Sequence, residues 1–221
     1  MNTLDACLER LYRQHIPVIR AHSTADALWI AEQLIQVGFH CVEFTLTTPD
    51  ILDFFNGPRP EDWPSEILVG LGTLSTATQI EALAEVTHPP DFVASPGLLP
   101  APVFKKALKI LNDQEILFMS GAATPTEVLH ALHSGIKAIK WFPAEPLGGT
   151  RTLQTIKAPF PEAKIIPFGG LQLAQAKAYW QAGAWAVGLG TSLMPSTVDL
   201  AQRNETSYQN YLYTLKNDAM K

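Results

Sequence analysis

One lysine stands near the end of a short apolar run in this 221-residue chain: Ala138-Ile139-Lys140-Trp141-Phe142-Pro143-Ala144-Glu145. A lysine inside a core strand is costly unless something uses or pairs it. Burial disfavours the ammonium and frees the amine as a nucleophile. The competing reading is a lysine whose stem packs while its head reaches water. A second run, Cys41-Val42-Glu43-Phe44-Thr45-Leu46, carries a carboxylate. Side chains alternate along a strand, so Glu43 and Thr45 share one face while Val42 and Phe44 share the other. A carboxylate, a lysine and an arginine (Arg20, closing an earlier run) aimed into one cavity is an arrangement that a purely structural core avoids. The structural alternative is a buried salt-bridge network, which can imitate an active site.

Short β-rich runs alternate with helix-patterned segments along the whole chain. The runs are Pro17 to Arg20, Cys41 to Leu46, Ile67 to Leu71, Phe92 to Ser95, Ile116 to Met119, Ala138 to Phe142, Lys164 to Pro167 and Ala184 to Leu189. Helical patterns between them include Ala25 to Val37, Ala77 to Val86, Thr126 to Ser134 and Leu173 to Ala182; several stop near a glycine (Gly38, Gly135, Gly183). Eight such units predict parallel strands closed into a (β/α)8 TIM barrel, one domain spanning 1–221. An extra N-terminal helix from Leu4 to Arg13 would cap its bottom. A doubly wound open sheet is the rival, but the first strand ends in Arg20-Ala21-His22-Ser23 without the glycine-rich turn of that fold. Gly57-Pro58-Arg59-Pro60-Glu61-Asp62-Trp63-Pro64 reads as one rigid loop.

In such a barrel the active site lies at the C-terminal ends of the strands. Arg20, Glu43, Thr45, Thr73, Ser95 and Lys140 fall at or near those ends. Gly169-Gly170 follows the seventh strand and Gly188-Leu189-Gly190-Thr191 the eighth. That is the usual phosphate position, where backbone N–H groups and a helix N-terminus meet an anion; tight turns are the plainer explanation of the glycines.

A net charge of −5 gives no basic footprint for nucleic acid. Cys7 and Cys41 lack CxxC spacing, so neither a zinc site nor a disulfide scaffold is expected. No apolar run approaches the roughly eighteen residues of a membrane span. The start, Met1-Asn2-Thr3-Leu4-Asp5, is unlike a secretory signal, which leaves the cytoplasm as the expected compartment. Glu127, His130 and His133 fall at i, i+3 and i+6 of one helix without HExxH spacing and read as a solvated face. His22 reads as a turn residue near the mouth, and Trp180 and Trp185 as packing residues.

Val42-Glu43-Phe44-Thr45-Leu46, Val69-Gly70-Leu71-Gly72-Thr73-Leu74, Ser95-Pro96-Gly97 and Ile139-Lys140-Trp141-Phe142-Pro143-Ala144-Glu145 with Gly148-Gly149 together resemble the KDPG/KHG aldolase family. Ala158-Pro159-Phe160-Pro161 and Pro167-Phe168-Gly169-Gly170 extend the likeness, which runs from about Ile16 to Pro195. These are class I enzymes without a metal or cofactor that cleave 2-keto-3-deoxy-6-phosphogluconate to pyruvate and glyceraldehyde 3-phosphate. The resemblance implies Lys140 as the Schiff-base residue and Glu43 as general base and acid. It implies Thr73 on the pyruvyl carboxylate, Ser95 and Phe142 beside the substrate, and Gly169, Gly170, Gly190 and Thr191 on the distal phosphate. It also implies a homotrimer acting on a small molecule.

Three positions depart from the family pattern. Thr47 stands where many members carry a carboxylate-binding arginine; some branches place one at the end of the first strand instead, and Arg20 fits that substitute. Phe168 replaces a threonine, so a phenyl ring at the mouth would remove a hydroxyl and narrow the tail pocket. Ser120 replaces a common proline. The substitutions at Thr47 and Phe168 favour a changed substrate or a non-catalytic phosphate-binding barrel, and a barrel synthase working without an imine is a third reading. Lys140, Glu43 and Thr73 occurring together favour the aldolase.

Overall fold

The computed structural model describes residues 3–220; Met1 and Asn2 of the polar start, and Lys221, lie outside the described residues. The chain runs α1 (Thr3–Arg10), β1 (His15–Ile19), α2 (Thr24–Gln36), β2 (Cys41–Thr45), α3 (Ile51–Phe54), β3 (Leu68–Gly72), α4 (Ala77–Ala84) and β4 (Phe92–Ala94). It continues α5 (Ala101–Asp113), β5 (Leu117–Ala122), α6 (Pro125–His133), β6 (Ala138–Trp141), α7 (Gly149–Lys157) and β7 (Ile165–Pro167). A 3-10 turn (Leu173–Gln175), α8 (Ala176–Gln181), β8 (Val187–Leu189), a second 3-10 turn (Thr191–Leu193), α9 (Thr197–Gln202) and α10 (Glu205–Met220) complete it.

The eight strands pair in parallel in the order β7-β6-β5-β4-β3-β2-β1-β8. The ring is therefore a TIM barrel, nearly closed; a single bridge, Phe168 to Gly188, joins β7 to β8 just past β7. Helix starts follow local chemistry. The Ser23 hydroxyl caps α2 by accepting from the Asp26 N–H, while Thr76 with Gln79 and Thr124 with Glu127 form reciprocal capping boxes on α4 and α6. Glu127 is thus occupied at a helix start, as suits a solvated face rather than a metal ligand. The expected stop glycines Gly38, Gly135 and Gly183 take left-handed φ of 86°, 80° and 96°.

Alternation along the strands sorts residues between two cores. Val42, Phe44, Val69, Leu71, Ile139, Trp141, Val187 and Leu189 pack outward under the helices. Ile16, Cys41, Leu68, Phe92, Leu117, Met119, Ala138, Ile166 and Phe168 fill the interior. Cys7, Leu8 and Leu11 join the interior cluster, so α1 and the turn after it cover the N-terminal end of the barrel, as the sequence predicts. Trp185 supports that cap: its indole N–H donates to the Leu8 carbonyl at 2.8 Å, and its ring meets Tyr12 at 4.6 Å. Trp180 packs against His15 (5.0 Å), where burial pulls the imidazole down to about 4. In the 57–64 loop Trp63 is buried, and Arg59 pairs with Asp91 at 2.7 Å. Among the described residues no helix is long and apolar enough to cross a membrane.

Candidate active site

Alternation on β6 sends Ala138 and Lys140 inward and Ile139 and Trp141 outward; on β2 it sends Cys41, Glu43 and Thr45 inward. β2 and β6 stand on opposite sides of the ring. Lys140 reaches across it and donates to Glu43 Oε1 at 2.9 Å. Lys140 is 6% exposed and Glu43 is fully buried, so the snorkelling reading fails. The amine also lies 4.1 Å from the centre of the Phe168 ring, whose electron-rich face favours a cation. Gly72 makes room for the carboxylate, since a Cβ there would fall 2.0 Å from Glu43 Oε1.

A salt-bridge network would spend the remaining acceptors of the carboxylate. Among the described residues none donates to Glu43 Oε2, which is buried. Above the pair opens a cavity of about 480 Å³, lined among others by Arg20, Thr73, Lys140, Phe142, Gly169, Gly170, Gly190 and Thr191. A charged pair with an unused acceptor, at the floor of a cavity formed where the strands end, is arranged for proton transfer beside a nucleophile.

The rim carries a guanidinium, hydroxyls and open glycine backbone. Arg20, exposed just beyond β1, donates from Nη1 to Thr47 Oγ1 at 2.5 Å. Thr73 follows β3 with φ of 68°, a left-handed conformation that a β-branched residue adopts only under strain. Gly169 and Gly170 are left-handed as well, with φ of 97° and 86°, and leave space beside Phe142 and Glu145 that a side chain would fill. Beside them, past the adjacent β8, Gly190 and Thr191 open the second 3-10 turn.

Residues 9–207 match the sequence profile of the family described as KDPG and KHG aldolase. The chain belongs to that family. It is therefore an aldolase, a lyase. The 2-dehydro-3-deoxy-phosphogluconate aldolase of Treponema pallidum is 31% identical over 179 residues, 81% of this chain and 80% of that protein. A probable 2-dehydro-3-deoxy-6-phosphogalactonate aldolase of Rhizobium meliloti is 31% identical over 200 residues, 89% of this chain and 90% of that one. Among solved structures, the KDPG aldolase of Legionella pneumophila, holding pyruvate as a covalent carbinolamine, superposes with a TM-score of 0.76 at 26% identity, covering 97% and 98% of the two chains.

Against the family pattern, nine of the ten residues singled out in the sequence converge on the cavity: Arg20, Glu43, Thr73, Lys140, Phe142, Gly169, Gly170, Gly190 and Thr191. Ser95 does not. It follows inward-facing Ala94, so alternation turns it away, and its buried hydroxyl accepts the Gly121 N–H at 2.9 Å. Its neighbour Pro96 lines the cavity instead. Phe168 also corrects an expectation. It is not at the mouth but 2% exposed inside the barrel, its ring resting where a Cβ on Gly188 would collide at 1.9 Å. The ring therefore forms floor rather than rim. Phe142 is 40% exposed and forms part of the rim over Gly169. Val18 and Met194 line the cavity unanticipated. Val18 was within reach of the alternation rule, being two residues before Arg20; Met194 had no local signal. His22 is exposed and lines a neighbouring recess that shares Arg20 and Met194 with the cavity.

Proposed function

We propose that this chain is a class I aldolase that cleaves a 2-keto-3-deoxy sugar acid, with 2-keto-3-deoxy-6-phosphogluconate as the leading substrate, to pyruvate and glyceraldehyde 3-phosphate. The observation that carries the reading is the buried Lys140–Glu43 pair, 2.9 Å apart, on the floor of the cavity. Lys140 passes a proton to Glu43 and attacks the C2 ketone; Glu43 returns that proton to the carbinolamine hydroxyl, which leaves as water and gives an iminium and a free carboxylate. Glu43 then takes the proton of the C4 hydroxyl as the C3–C4 bond breaks, and the electron pair flows into the iminium to give an enamine. The aldehyde leaves, the enamine is protonated at C3, and water releases pyruvate and restores the amine. Arg20 and Thr73 hold the pyruvyl carboxylate, a cation and a hydroxyl suited to a planar anion. Gly169, Gly170, Gly190 and Thr191 hold the distal phosphate, while Phe142 shields the imine.

One observation favours a second substrate. Phe168 brings an apolar ring, not a hydroxyl, to within 4.1 Å of the reacting amine. That suits an aldehyde partner recognised by fewer polar contacts near the cleaved bond, as in 4-hydroxy-2-oxoglutarate, or one of different stereochemistry, as in the galactonate epimer. We place the activity in one domain spanning the chain, in a homotrimer as the family resemblance implies. The cytoplasm is the proposed compartment, supported by two buried free thiols, Cys7 and Cys41.

The test is borohydride reduction in the presence of pyruvate, read by intact mass and peptide mapping. A reduced pyruvyl adduct on Lys140, lost in Lys140→Arg, is the expected result, because a guanidinium forms no imine. A folded protein without an adduct would leave a phosphate-binding barrel or an imine-free synthase.

A further inference from the structure

The ladder between β1 and β2 ends with Ile19 opposite Phe44, one residue before Arg20. Past that point the main-chain pairing no longer fixes where the guanidinium goes, and an exposed arginine has many rotamers open to it. Three threonines, Thr45 at the end of β2 and Thr47 and Thr48 in the turn after it, take over. Thr48 Oγ1 accepts the Ala21 N–H at 3.2 Å, which fixes the backbone where Arg20 leaves the strand. Thr47 Oγ1 accepts from Arg20 Nη1 at 2.5 Å. Thr45 Oγ1, fully buried, lies 3.0 Å from Thr47 Oγ1 and 3.5 Å from Thr48 Oγ1, so one hydroxyl ties the side-chain anchor to the backbone anchor.

We propose that Thr47, braced by Thr45 and Thr48, is a positioning residue that holds Arg20 over the catalytic cavity and so sets affinity for the carboxylate of the pyruvyl unit. The proposal rests on the aldolase reading. Thr47 touches neither Lys140 nor Glu43 through any of these bonds; its influence passes through Arg20. Holding the guanidinium in advance removes the ordering cost at the moment of binding. The hydroxyl that holds it is a neutral acceptor, which leaves the positive charge free for the substrate anion.

The experiment measures borohydride-trapped adduct as a function of pyruvate concentration in wild type, Thr47→Val, Thr47→Ser, Arg20→Ala and the Thr47→Val/Arg20→Ala double variant, each checked for an unchanged melting temperature. Thr47 is exposed, and valine matches its shape. Thr47→Val is expected to raise the half-saturating pyruvate roughly tenfold, the scale of a lost hydrogen bond to a charged group, with a far smaller change in the rate at saturation. Thr47→Ser restores the wild-type value within about twofold by keeping the acceptor. In the Arg20→Ala background the valine adds nothing, the signature of two residues acting as one unit. An unchanged half-saturation in Thr47→Val, or an equal shift with and without Arg20, overturns the proposal while the aldolase reading stands. A wild-type protein that forms no adduct overturns that reading itself.

Discussion

The two ends of the barrel interior are built from the same eight strands and obey opposite rules. At the N-terminal end Ile16, Leu68, Phe92, Leu117 and Ile166 interlock with Leu8 and Leu11, all buried and apolar. At the C-terminal end the same strands present Glu43, Thr73 and Lys140 to a cavity of about 480 Å³, with an unpartnered carboxylate oxygen and a left-handed threonine. Close packing stabilises, whereas unspent polar capacity and backbone strain do not. The filled end supplies the stability that the open end gives up, and the divide falls between Ala138 and Lys140, two residues apart on one strand.

If that division is right, damage to one end should register as rate and damage to the other as stability. The largest expected effect is on rate. Glu43→Gln keeps a carbonyl near Lys140 but cannot carry a proton, so the adduct should still accumulate, more slowly, while turnover falls by roughly 10²- to 10⁴-fold, the usual scale of general acid–base catalysis. Turnover close to wild type would reduce Glu43 to a counter-ion. The filled end is probed by Phe92→Ala. The Phe92 ring fits against Gly70, where a Cβ would lie 2.1 Å from it. Its truncation should cost about 3–5 kcal/mol in urea unfolding, with turnover per folded molecule within about threefold. A loss of turnover rivalling that of Glu43→Gln would show that the floor also aligns the site.

How much of this was legible beforehand follows from which rules are local. Alternation along β2 put Glu43 and Thr45 on one face, and Lys140 stood out as the lone lysine of an apolar run. Recurrence of strand and helix patterns then made Glu43 and Lys140 opposite each other in a ring. The same rule, applied past Ala94, would have turned Ser95 away; the polar side chain at a strand end drew attention that its parity did not support. Strand ends moved by a few residues: β5 runs on to Ala122, and β8 starts late because Ala184 still bonds back to Tyr179 and the ladder with β1 starts at Val187. Phe168 was misplaced for a different reason. Its depth depends on the missing side chain of Gly188 across the seam between β7 and β8, a contact between segments twenty residues apart. The Arg20–Thr47 contact joins the ends of two neighbouring strands, and no pattern within either run announces it.

The smallest expected effect tests the contrast at a single residue. Thr73 holds φ of 68° in the wall of the cavity, and a β-branched residue so held stores about 1–3 kcal/mol. Asparagine adopts the left-handed region far more readily, without the larger entropy loss that glycine suffers on folding. Thr73→Asn should therefore raise stability by about 1 kcal/mol, read as a higher urea midpoint at unchanged slope. It should also weaken pyruvate in the trapping assay, because an amide on a longer arm replaces the short hydroxyl. Opposite signs in the two measurements are what strain held for binding predicts. A variant that loses stability would instead mean that the Thr73 side chain supports the fold, and the wall of the cavity would then belong with the packed end of the barrel rather than against it.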